Sequence, residues 1–395
     1  MRCVGLLVAL GAETKKYPGE ALLWTAARRH GPRLGRVAVD LGRTPGMGRL
    51  VAQAAPELLI LTHDDADHIG GWRGFASTGL TALEELWVPY EWGVLVRLLA
   101  DDAWASEHSG GDDAFMGAAW ISEYPVGARP TAEYVDSSER AMGRALDLVN
   151  DPALSRRLGA LLKKLGEQDD ESSWRGTPRQ VARRAGARAV RLCEILHDVS
   201  RAGVRLRFFS VDHGRGSAAV PWQCRGAHSA ATVANAVEVR LAKRVPAGLP
   251  QLALLLRLTI QNRRALCPVL WACRCGPTAL VWSDSSGEWT AEYDVGALLN
   301  QIAISTAPHH GSTNAAHDDA WEALRPLLRR DDTIVVLAGG EHTQPNVRTE
   351  YLRLPVARRG CTRCRHDRKE PQRAHSVVVQ MRNARASILD GGCHE

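Results

Sequence analysis

The densest chemistry in the chain lies in one short run, Leu61-Thr62-His63-Asp64-Asp65-Ala66-Asp67-His68-Ile69-Gly70-Gly71. An apolar stretch delivers a histidine, two aspartates at alternate positions, an adjacent second histidine and then a glycine pair. Alternate positions in a tight strand-to-helix loop can converge on one point. Imidazole nitrogens and carboxylate oxygens are the donors that hydrolytic Zn²⁺ and Mn²⁺ sites use. Asp65 and Asp67 at the end of a hydrophobic strand oppose each other's ionisation, and burying both without a cation is expensive. The pattern points to metal ligation by His63, Asp65, Asp67 and His68 rather than to an acidic N-capping loop with incidental histidines.

Strands must end beside such groups to hold them. In the first hundred residues, 5–10, 21–25, 36–40, 58–62 and 86–89 read as strands, with helices between some of them. Residues 137–150, 152–168 and 178–199 show helical spacing of Leu, Ala and Val, while 101–130 is polar and irregular. Sheet-like runs resume at 204–211, 252–260, 279–283, 303–307 and 333–338, and 376–381 reads as a last strand. The coarse plan is one α/β domain interrupted in the middle. Residues 1–100 and 206–350 form its two halves, 101–205 a helical, Arg-bearing insertion, and 351–395 a basic tail. No repeat of fixed period is present.

With 395 residues, 45% hydrophobic and 24% charged, the chain is neither disordered, collagenous nor a disulfide-stapled mini-protein. Fifty Lys+Arg against 44 Asp+Glu give +6, which permits an anionic partner without requiring one. Almost all of those cations are arginine, as a GC-rich genome or phosphate recognition would each produce. Nine cysteines, an odd number, fit a reducing compartment better than a disulfide framework. The apolar start after Met1-Arg2-Cys3 superficially resembles a signal peptide, but its single Arg and short run read as a first strand. No stretch approaches the roughly 18 apolar residues of a membrane span. A soluble, cytoplasmic protein is expected.

The motif His63-x-Asp65-x-Asp67-His68-x-Gly70 resembles that of the metallo-β-lactamase fold hydrolases, in the form closest to the hydrolase domain of the ComEC-type DNA-uptake channel and its free-standing relatives. Later landmarks of that family occur in order. Leu280-Val281-Trp282-Ser283-Asp284 supplies an Asp ending a middle strand, Pro308-His309-His310-Gly311-Ser312 a Pro-His-His-Gly-Ser signature, and Gly339-Gly340-Glu341-His342 a final His near a Gly-rich turn. The family's Asp-Gly-Gly turn is matched by Asp40-Leu41-Gly42, and its upstream Asn by Asn262, with Ala265 where relatives carry Ser. Two departures stand out. The second motif position is Asp65 where relatives often have His, which makes the site harder and more tolerant of Mn²⁺. The extra His that many relatives carry has no clear counterpart; His213 and His228 are candidates, each more in keeping with a surface loop.

The resemblance implies an αββα sandwich with a helical insertion and a short Cys/His-containing tail. It also implies two divalent ions, Zn or Mn, held by His63, Asp65, Asp67, His68, Asp284, one or both of His309 and His310, and His342. Asp284 would bridge the ions. His342 is either a ligand or a proton donor to the leaving group, with Asp67 and His310 at the reacting centre. In such sites the ions sit about 3.5–4 Å apart and share a bridging hydroxide that attacks in line. The implied function is a metal-dependent phosphodiester hydrolase, a nuclease acting on DNA, and free-standing relatives suggest a restrained effector of bacterial antiviral defence released by an activating protein or protease. Two alternatives remain open: a small-molecule hydrolase of esters, lactones, lactams or cyclic nucleotides, and a partner-dependent regulatory subunit.

Secondary signals are weaker. Cys361-x-x-Cys364, with His366, His375, Cys273 and Cys275, supplies half the spacing of a structural zinc site. Arg156, Arg157, Lys163, Lys164, Arg175, Arg179, Arg183, Arg184, Arg188 and Arg191 either guide a polyanion or form a solvated face balanced by Glu167, Asp169, Asp170 and Glu171. Trp72, Trp87, Trp92 and Trp282 lie near the landmarks, where they either stack bases or pack the core.

Overall fold

The computed structural model describes residues 3–11, 19–28, 33–100, 129–166, 176–211, 230–241, 249–260, 264–272, 278–339, 347–364, 373–374, 376–382 and 385–393. The chain divides into two compact units. The first comprises Met1–Trp87, Val211–Val237 and Asn262–Glu395; the second comprises Val88–Ser210 and Glu238–Gln261. The architecture is α/β, with two mixed sheets flanked by helices and a helical insertion.

In the first unit, strands β1 (Cys3–Ala9), β2 (Leu22–Arg28) and β3 (Arg33–Val39) form an antiparallel meander. Strands β4 (Leu58–Ile60) and β5 (Glu85–Pro89) then add in parallel to β3. Every residue of β4 is buried, the continuous apolar run of a strand covered on both faces. On the other edge, β16 (Val377–Arg382) pairs with β1, and β17 (Arg385–Asp390) pairs with β16. The second sheet has its strands in the order Arg359–Cys361, Ile334–Leu337, Ile302–Thr306, Thr278–Leu280, Pro268–Trp271 and Ala231–Val233. Its strands β10 (Thr278–Leu280), β11 (Ile302–Thr306), β12 (Ile334–Leu337) and β13 (Arg359–Cys361) run parallel, and β9 (Pro268–Trp271) and β7 (Ala231–Val233) continue antiparallel. The indole of Trp24 on β2 donates to the Trp271 carbonyl at 3.2 Å, joining the sheets through a buried bond.

Flanking helices cover the sheets with one apolar face. Helix Asp318–Leu328 buries Ala320, Trp321, Leu324 and Leu327, the spacing of one helical stripe, in a core with Leu280, Trp282, Val335 and Leu337. Helix Pro45–Gln53 begins at a proline in its first turn, where the missing N–H costs nothing, and Thr44 caps it by accepting from the Met47 N–H at 3.3 Å.

The second unit is mainly helical: Tyr90–Ala100, Ala132–Asn150, Pro152–Gly166, Pro178–Arg201 and Leu249–Ile260, with a strand Arg205–Ser210 whose Arg207 pairs with Glu238 at 3.0 Å. Pro178–Arg201 starts in a capping box, in which Thr177 accepts from the Gln180 N–H and Gln180 accepts from the Thr177 N–H. Residues 252–260, expected as a strand, belong instead to helix Leu249–Ile260. The run is rich in Leu and Ala, strong helix formers, and its buried positions Leu252, Ala253, Leu255 and Leu256 follow the helical period. Among the described residues no helix is long and apolar enough to cross a membrane.

Candidate metal centre

The site assembles at one rim of the first unit because its residues follow the carboxyl ends of parallel strands. Asp40 follows β3, Thr62 and His63 follow β4, Asp284 follows β10, and His309 and His310 follow β11. Strand β2 runs antiparallel to β3, so Glu20, just before β2, reaches the same rim.

Hydrogen bonds aim the imidazoles. Asp40 accepts from the Thr62 N–H at 2.8 Å on one oxygen; on the other it accepts from the Thr62 hydroxyl at 2.8 Å and from His68 Nδ1 at 2.7 Å. That bond places the His68 proton on Nδ1 and turns Nε2 toward Asp284 Oδ1, 3.5 Å away. The Thr62 hydroxyl, having donated to Asp40, is left as acceptor toward His63 Nδ1 at 3.1 Å, so His63 Nε2 faces Asp284 Oδ2 at 3.6 Å and Asp65 at 3.8 Å. His310 donates from Nδ1 to the Ala338 carbonyl at 2.7 Å. Its Nε2 lies 3.3 Å from Asp67 and 3.5 Å from Asp284 Oδ1. His309 Nε2 lies 3.4 Å from Asp284 Oδ2.

Two donor sets result. Glu20, His68, Asp284 and His310 each offer an atom within 4.8 Å of the others, and so do His63, Asp65 and Asp284. Asp284 belongs to both. His63 Nε2, His68 Nε2, His310 Nε2, Asp284 Oδ1 and Glu20 Oε1 are all buried and find no hydrogen-bond partner among the described residues. Buried polar atoms left so are costly, and cations between them would satisfy all five, so the residues fit a metal centre. The backbone is strained at the same place. Asp40, Ser283, His309 and His310 have φ of 58, 50, 45 and 53°, a region that costs a side-chain-bearing residue about 1–2 kcal/mol.

The charges are mutually tuned. Burial disfavours a charged His63, and His68 opposes it too, but the close approach of the Asp284 and Asp65 carboxylates raises it to about 9. For His310, burial is outweighed by the charges of Asp284 and of the nearby Asp67, and it rises to about 10. His68 is likewise raised against burial by Asp284 and Asp40. Asp284 resists the upward push of burial because His309, His310 and His68 surround it, and it stays well below the usual carboxylate range. Burial pushes Asp67 up, but the neighbouring His310 and His68 hold it below the usual carboxylate range. Burial lifts Glu20 to about 7 and lowers His309 to about 4.

The structure thus brings together His63, Asp65, Asp67, His68, Asp284, His309 and His310. His342 lies outside the described residues, as do His213, His228, Asn262, Arg175, Cys273, Cys275, His366, His375 and residues 101–128. The sequence reading missed Glu20, which sits one residue before an expected strand, and it saw Asp40 only as a turn. It also missed His317, which stacks on His309 at 4.0 Å between ring centroids and donates from Nδ1 to the Ser285 carbonyl at 3.2 Å.

Of the weaker signals, several fall on the packing side of the alternatives. Trp72, Trp87, Trp92 and Trp282 are buried and serve packing, so they present no face to a base. Cys361 is a buried cysteine in no disulfide, placed in one core cluster with Tyr351 and Cys393, and no donor set among the described residues includes it. Tyr351 donates to the Gly360 carbonyl at 2.8 Å and lies 3.5 Å from Cys393 Sγ. The side chain of Cys364 lies outside the described residues. On the helices of the second unit, Arg156, Arg157, Lys164, Arg179, Arg183 and Arg184 are exposed. Compared with known protein families the chain matches none, and no curated protein matches it either.

Proposed function

We propose that the chain is a metal-dependent hydrolase with a metallo-β-lactamase-like αββα core, acting on phosphodiesters and specifically as a nuclease on DNA. The observation that carries the reading is Asp284, a buried carboxylate whose two oxygens face two separate sets of donors. His63 and His309 face one oxygen, with Asp65 beside His63, and His68 and His310 face the other, with Asp67 beside His310. Zinc or manganese ions held there would supply Lewis acidity to a phosphoryl oxygen and make water nucleophilic near neutral pH.

The chain's own groups do the rest. Asp40 and the Ala338 carbonyl hold His68 and His310 in the tautomer that leaves Nε2 free as a ligand. Strain at His309 and His310 keeps both rings turned inward before substrate arrives. Asp67 reaches the substrate side of this set, being partly exposed, and His342 is assigned to protonating the leaving group or completing the shell. The exposed arginines of the helical insertion support a polyanionic substrate.

The test is cleavage of plasmid and single-stranded DNA by purified protein with Mn²⁺ or Zn²⁺, beside Asp67→Ala and His68→Ala. Metal-dependent degradation that falls by at least about a hundredfold in both variants is expected. Hydrolysis of small esters or cyclic nucleotides with no attack on DNA would overturn the nuclease assignment and keep the hydrolase.

A further inference from the structure

The two donor sets around Asp284 are unequal. On the Oδ2 side stand His63 Nε2, His309 Nε2 and Asp65, which with Asp284 make two nitrogens and two carboxylates. On the Oδ1 side stand His68 Nε2, His310 Nε2 and Asp67, and to these the fold adds Glu20.

Glu20 is held there by its backbone. Its N–H donates to the Asp67 carbonyl at 2.9 Å and its carbonyl accepts from the Gly42 N–H at 2.8 Å. Gly19 makes the approach possible: its φ is +72°, and a Cβ would stand 2.0 Å from the Asp67 carbonyl oxygen. The Glu20 side chain is 1% exposed; its Oε2 lies 3.5 Å from His310 Nδ1, and its Oε1 has no hydrogen bond among the described residues. Oε1 is thus a buried carboxylate oxygen without a partner among the described residues, and a cation on the Oδ1 side would satisfy it.

We propose that Glu20 is an additional carboxylate ligand on the Asp67/His68/His310 side, and that it makes the centre heterodinuclear, with Zn²⁺ on the His63 side and Mn²⁺ on the Glu20 side. The inference rests on the metal-centre reading above. Two imidazoles with two carboxylates suit four-coordinate zinc, whereas three carboxylates with two imidazoles make a harder, higher-coordinate position that suits manganese.

The experiment uses the full chain stripped of metal, given one equivalent of Zn²⁺ and then titrated with Mn²⁺, followed by elemental analysis and electron paramagnetic resonance. The expected result is one zinc retained and one manganese bound, with no Mn–Mn exchange coupling. In Glu20→Gln, manganese binding weakens at least tenfold while the zinc stays, and Glu20→Asp recovers part of the loss. Manganese binding by Glu20→Gln at wild-type affinity, an exchange-coupled manganese pair, or refusal of manganese by the zinc-loaded protein would each overturn the proposal. Should Glu20→Gln fail to fold, His63→Ala decides: it should lose the zinc and keep one manganese, and the reverse result overturns the assignment. A wild-type protein that binds neither ion removes the metal centre itself, an outcome distinct from failure at Glu20 alone.

Discussion

Asp284 is the group on which the most interactions converge, since His63, His68, His309 and His310 all approach one of its two oxygens. Replacing it by Asn removes the shared charge while leaving the shape, so affinity for both ions should drop at least about a hundredfold with little change in fold, as read by metal titration and circular dichroism. Asp40→Asn acts at one remove. It places an amide donor or a single acceptor opposite both the Thr62 hydroxyl and His68 Nδ1, and metal affinity should fall about 10–100-fold. Acidity acts in the same direction. Among side chains alone, His63 and His310 hold their protons up to about 9 and about 10, so cation entry at neutral pH must expel them. Each expelled proton weakens apparent affinity about tenfold per unit fall in pH; titration calorimetry in buffers of differing ionisation enthalpy should register the release. Much of this was legible beforehand because His63, Asp65, Asp67 and His68 are neighbours in sequence. Glu20 was not, because only the pairing of β2 with β3 and the bond from Glu20 to Asp67 make it their neighbour in space.

At the scale of elements, the site is a rim where parallel strands end, and the turns leaving those strands must come very close together. Gly71 shows how close: a Cβ there would lie 2.2 Å from the Leu41 carbonyl oxygen, in the turn that carries Asp40. Gly71→Ala should therefore force the two loops apart, lower the unfolding midpoint and weaken metal binding together, as denaturant titration with and without metal would measure. Thr177→Ala offers a contrast, since it removes one half of a capping box in the helical unit. It should cost about 1 kcal/mol of stability and leave metal affinity unchanged. Strand positions were readable where apolar runs end at polar clusters, as at β4 and β11. The run 252–260 was not, because a short apolar stretch carries no period of its own until something packs on one side of it. The buried tryptophans teach the same point, for nearness in sequence to a ligand says nothing about which way an indole faces.

At the scale of the molecule, the chain combines a two-sheet unit that carries every assembled ligand with a mainly helical unit that carries exposed arginines. The reading as a restrained nuclease predicts that nicking within 101–191 raises DNA cleavage by full-length protein; unchanged activity after complete nicking would remove the restraint idea. The ligand set also has a mechanical meaning. Its members run from Glu20 to His310 and come from both sheets, so a bound ion would clasp segments that are among the most distant in the chain. Closing such long loops is entropically expensive for an unfolded chain, and an ion that grips only the closed form repays that expense by mass action, about 2.7 kcal/mol at a hundredfold excess over its dissociation constant. A chelator would then do more than silence the chemistry: it would unfasten the two-sheet body.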